Sequence, residues 1–118
     1  MIENMDLDEL RQTQLTSVTV GLGSIVIQFG TGAHILVQCP FEVSDGGLHQ
    51  SGHGETPSSA VVLFKLLNHR TDLVELDREK ILCLHFEGDL TLRIVPKTDG
   101  LESYVLATRH GICPVIVV

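Results

Sequence analysis

Few residues of this 118-residue chain could carry chemistry: six histidines, three cysteines and a set of scattered carboxylates. His49 and His53 in HQSGH are four positions apart, the spacing at which a helix turns two imidazoles toward one metal ion. Ser51 and Gly52 interrupt that pair inside a glycine-rich stretch, which predicts a loop instead. Cys83 and His85 in ILCLHF stand two apart, so a strand places them on one face, as a ligand pair or as a thiol beside its base. Their apolar setting favours half-buried side chains with a structural role, and His34, His69 and His110, at turns or element ends, are read the same way. The chain is therefore expected to be no enzyme, with no catalytic residue, no cofactor and no metal. The glycines of GLGSIVIQFGTG join strands rather than open a helix, so they do not form a dinucleotide-binding turn. One tyrosine and no tryptophan leave no stacking platform for single-stranded nucleic acid.

The carboxylates say more. Fifteen Asp and Glu against eight Lys and Arg leave a formal charge of -7, which weighs against phosphate backbones and anionic membranes as partners. Glu42 and Asp45 flank the start of residues 43–56 and Glu55 closes that segment. Asp72, Glu75 and Asp77 crowd one strand, and Glu87 and Asp89 occupy a hairpin tip. On a strand Glu75 and Asp77 point the same way, which costs repulsion unless a cation or a basic partner relieves it. One reading is a solvated face with Arg78 and Lys80 as neighbours. The other is an acidic docking surface that steers a basic protein.

The elements that must position these residues follow from the hydropathy pattern. A hydrophobic content of 43% and a mean hydropathy of +0.24 argue for a packed core, and residues 1–118 fit a single domain. Residues 6–11 predict one helical turn, with Asp6 as N-cap and Glu9 completing a capping box. Period-two runs over 15–20, 24–29 and 33–39, separated by GLG and GTG, predict a meander. Residues 43–56, with four glycines, predict an exposed mobile loop, and Thr56-Pro57 opens a helix over 57–68 that covers the sheet. Five more strands follow, over 71–76, 80–86, 90–95, 103–108 and 112–118, with hairpin turns at DRE, EGD and RHG. A shift of 57 positions superposes Ile25, Ile27 and Phe29 on Leu82, Leu84 and Phe86, suggesting a two-fold pseudo-repeat. The expected fold is α+β: a largely antiparallel sheet of seven or eight strands packed on one central helix. Cys39, Cys83 and Cys113 are odd in number and sit in apolar runs, which suits reduced thiols, and an acidic N-terminus is unlike a secretion signal; a cytoplasmic protein is expected.

Phe29, Gly32, Pro40 and Phe41, followed by Phe86, Gly88, Leu92, Pro96, Tyr104 and Gly111, form a pattern that resembles a bacterial family of small cytosolic β-rich proteins of uncharacterised function. Such proteins are similar to the immunity partners encoded beside polymorphic or contact-dependent growth inhibition toxins. The resemblance implies an antitoxin that binds a cognate toxin domain, a basic nuclease being the expected partner, and occludes its active site or its substrate. Glu42, Asp45, Glu55, Asp72, Glu75, Asp77, Glu87 and Asp89 are the candidate partner-binding residues. Two other readings stand beside it. One is a small-molecule or metal-binding sensor drawing on Cys83, His85, His49 and His53; the other is a homo-oligomeric protein, a homodimer in its simplest form, that pairs its apolar ICPVIVV end.

Overall fold

In the computed structural model, which describes residues 1–118, the chain forms ten strands in two antiparallel sheets. Strands β1 (Leu15–Gly21), β2 (Ser24–Phe29) and β3 (His34–Val37) make a meander, and β4 (Pro40–Asp45) and β5 (Leu48–His53) a hairpin. Strands β6 (Thr71–Leu76), β7 (Leu82–Phe86) and β8 (Leu90–Ile94) make a second meander, and β9 (Glu102–Thr108) and β10 (Gly111–Ile116) a second hairpin. Each meander accepts the hairpin of the other half. The first sheet runs β1-β2-β3-β9-β10 and the second β5-β4-β8-β7-β6.

The two halves agree in register as well as in order. Ile25 faces Val37 and Ile27 faces Ile35, while Leu82 faces Ile94 and Leu84 faces Leu92, each residue 57 positions on. Phe41 lies opposite Gly52 and Val43 opposite Gln50; Tyr104 opposite Val115 and Leu106 opposite Cys113 repeat this 63 positions later. The exchanged contacts correspond too, since Val37 pairs with Tyr104 and Ile94 with Phe41. Alternation then sends one side of every strand inward. The inward residues of both sheets, among them Ile27, Ile35, Phe41, Leu84, Leu92 and Leu106, meet in a single core.

This architecture corrects the expected fold. Strand takes up 52% of the chain and helix 13%, so the protein is not a sheet of seven or eight strands on one central helix. Ten strands cover one another, and the segment after Thr56 is a 3-10 helix, Pro57–Leu66, that packs against β5 and β1. Its most deeply buried side chains, Ala60, Leu63 and Leu66, recur every third residue, the period of a 3-10 and not of an α-helix, with Val62 buried beside them. Val61 and Phe64 between them are 61% and 49% exposed, so the helix is not buried on most sides.

Residues 43–56, expected as a mobile loop, hold the end of β4 and all of β5. Their glycines serve close approach rather than mobility: a Cβ on Gly52 would strike the Phe41 ring, and one on Gly54 the Val37 carbonyl. The first helical turn also starts earlier than expected. Helix α1 spans Asn4–Asp8, and Asp6 accepts the Glu3 N–H at 3.0 Å instead of acting as the N-cap. Buried Asp6 accepts the Thr108 hydroxyl at 2.8 Å, and buried Glu9 accepts the Arg109 backbone N–H at 3.2 Å and pairs with its guanidinium. These bonds fasten α1 to the β9–β10 turn. No helix is long and apolar enough to cross a membrane.

Candidate functional site

The second sheet carries most of the ionisable groups on strands. Its five strands hold Glu42, Asp45, Asp72 and Glu75 against Arg93 alone, whereas the strands of the first sheet hold Glu102 as their one carboxylate and no lysine or arginine. Alternation aims Glu42, Glu75 and Arg93 outward, because Phe41, Val43, Val74 and Leu92 beside them fill the core. The register aligns one outward row across all five strands, Ser51–Glu42–Arg93–Cys83–Glu75. A second row reads His49–Ser44–Thr91–His85–Leu73.

Within these rows Arg93 Nη1 donates to Glu42 Oε1 at 2.5 Å, and the Ser44 hydroxyl lies 2.8 Å from His49 Nδ1. Arg93 stands between two open hollows. One, of about 450 Å³, is lined by polar side chains including Glu42, Ser44, His49 and Ser51. The other, of about 390 Å³, is bounded by Glu75, Leu76, Asp77, Ile81 and Cys83. Glu42 is neutralised by Arg93, so the uncompensated charge of the face lies toward β6, at Glu75.

Cys83, His85 and Glu75 do converge, but not as a nucleophile with its base and orienting acid. The Cys83 sulfur lies 3.5 Å from His85 Nε2, and the Glu75 carboxylate lies 3.2 Å from that same nitrogen. A relay needs the thiol on one ring nitrogen and the carboxylate on the other. Burial, with the negative charges of Glu75 and Asp77, also pushes the Cys83 thiol above its ordinary value, so it stays protonated near neutral pH. His49 and His53 lie at register positions facing Ser44 and Pro40, four residues apart on a strand rather than converging on a helix, and no group of three or more His, Cys, Asp or Glu side chains is arranged to hold a metal ion.

The eight carboxylates singled out in the sequence separate into four places. Glu42 and Glu75 share the outer face. Asp77, beside them, is engaged in its own turn, where Oδ1 accepts the Glu79 and Ile81 N–H groups at 2.8 and 3.0 Å. Asp45, Glu87 and Asp89 gather at one end of the same sheet: the β4–β5 and β7–β8 turns touch there, with Gly46 N–H donating to the Asp89 carbonyl at 3.2 Å. Asp72 is exposed at the start of edge strand β6, in the bulge opposite the end of β7. Glu55 lies apart, in a third hollow with Gln38, Lys97 and Glu102. Arg93, Ser44 and Ser51 complete the face and were not singled out. Arg93 had a signal, as the one charge in the alternating run LTLRI; Ser44 and Ser51 had none once their segment is read as a loop.

No family model, curated protein or solved structure matches the chain.

Proposed function

We propose that the chain is a binding module of the immunity type, whose partner is a basic toxin domain that docks on the outer face and acidic end of the second sheet. The observation that carries this reading is the segregation of charge: two sheets of one topology, with four strand carboxylates on one and a single strand carboxylate on the other. A one-sided acidic surface accelerates encounter with a basic protein and disfavours acidic ones. The mechanism requires no bond to be made or broken. A footprint of about 800 Å² per partner covers an active site or a substrate channel by occupancy alone. The resemblance of the Phe29-to-Gly111 pattern to immunity partners of bacterial toxins supports the same reading.

The experiment is affinity capture with the tagged protein from its host, followed by assay of the captured protein with and without saturating added chain. A basic domain held at near 1:1, whose toxic activity is abolished by the chain, is the expected result. A toxin activity that persists under saturation overturns the reading.

A further inference from the structure

From the outer face of the first sheet we infer that it is a self-association surface, through which two copies of this chain pack sheet to sheet. Positions that correspond in register occupy equivalent places on equivalent sheets, so the fold makes similar demands on them. Their outward side chains nevertheless differ in kind. Where the second sheet has Cys83, Arg93, Glu42 and Ser51 in one row, the first has Val26, Leu36, Val105 and Pro114. In the next row Ser44 and His49 have Ala107 and Ile112 as their counterparts. The first three apolar residues of the row are part-exposed, Pro114 is open, and Ile112 is 74% exposed. An outward apolar row spanning four adjacent strands is not a requirement of this architecture, since the second sheet does without it.

Charge selects the occupant. The chain carries a net -7, so two copies repel wherever their acidic surfaces meet. These two rows contain no Asp, Glu, Lys or Arg, and the one strand carboxylate of the sheet, Glu102, stands at the end of β9 opposite Ile116, so two copies can approach through the rows without juxtaposing like charges. An apolar row is also self-complementary, as a two-fold interface demands. The area is adequate. Five strands at about 4.8 Å spacing, six residues long, present about 500 Å² per copy, so a pair removes about 1,000 Å², the lower bound for a specific interface. The dimer is thus a reversible one, and it leaves both acidic faces turned outward.

The test is sedimentation equilibrium of the whole chain from about 1 µM to about 500 µM, at low and high salt, on the wild type and on the double variant Leu36→Arg/Val105→Glu. That variant places on the first sheet the pair that Arg93 and Glu42 already form at the corresponding positions, so it is expected to fold, with circular dichroism and thermal melting as the check. The wild type is expected to pass from 12.9 kDa to twice that mass, more readily at high salt, where repulsion between acidic copies is screened. The folded double variant is expected to need at least a tenfold higher concentration to dimerise. Should it fail to fold, Val26→Lys alone, read the same way, carries the test. A wild type that stays at 12.9 kDa throughout, or a folded variant that dimerises as the wild type does, overturns the inference.

Discussion

Arg93 on β8 and Glu42 on β4 form an ion pair of 2.5 Å at positions whose counterparts on the other sheet are Leu36 and Val105. The pair therefore occupies a place that this fold also fills with two aliphatic side chains. Its worth to the fold is small, because both partners are about half exposed and such pairs contribute about 0–1 kcal/mol.

Removing the cation separates stability from recognition. Arg93→Ala is expected to change the unfolding free energy by less than about 1 kcal/mol, read by denaturant melting. The same substitution frees Glu42 and strengthens capture of a basic partner, read by titration. Weaker binding by a folded Arg93→Ala protein would place the guanidinium in direct contact with the partner instead.

The attachment of α1 is acid-sensitive. The Glu3 backbone N–H, with the Thr108 hydroxyl, holds the Asp6 carboxyl below its ordinary value of 3.8 against the upward push of burial. The Arg109 side chain does the same for Glu9, whose ordinary value is 4.5. Carboxyls depressed in the folded state bind more protons when unfolded, so their contribution is complete above those ordinary values and is lost as pH falls through the depressed ones. The thermal midpoint is expected to drop between about pH 5 and about pH 2. Asp6→Asn and Glu9→Gln are expected to melt lower at neutral pH and to lose less on acidification; slopes equal to the wild type would contradict this.

Tyr104 reports on the alkaline side. It is fully buried and donates its hydroxyl to the Lys80 carbonyl at 2.8 Å. Burial pushes its phenol above the ordinary 10.0, with the charges of Cys39 and Asp77 adding to the shift. The folded state then holds its proton more tightly than the unfolded one, so stability is complete below that ordinary value and declines as pH rises above it. As Tyr104 is the one tyrosine and tryptophan is absent, phenolate absorbance reads it alone. That signal is expected to appear only as the protein unfolds. Tyr104→Phe is expected to cost about 1 kcal/mol, by leaving the carbonyl without its donor, and to flatten the alkaline decline.

The strands were largely legible in the sequence because residues such as Ile25, Ile27, Leu82 and Leu84 alternate cleanly, and alternation is local. The sheet order was not, because the exchange that pairs Val37 with Tyr104 and Ile94 with Phe41 joins residues more than 50 positions apart. β5 escaped because an edge strand exposed on most of its residues has no apolar period to read. Residues 57–66 read as an α-helix in the sequence because Val61 and Phe64 are apolar and yet exposed, which masks the three-residue period of the most deeply buried residues, Ala60, Leu63 and Leu66. Of the candidate site, the carboxylates were visible as residue types. Their division into a face, an end, the edge position of Asp72 and the isolated Glu55 depends on the same long-range pairing.

If Glu42 and Glu75 present the second sheet to a basic partner, reversing their charge abolishes the attraction. The captured basic domain is titrated with wild type and with a folded Glu42→Lys/Glu75→Lys variant at low and high salt. The expected result is an affinity that falls with salt for the wild type, and a loss of at least about a hundredfold, or about 2.7 kcal/mol, for the variant. An affinity unchanged by the reversal and indifferent to salt would contradict it.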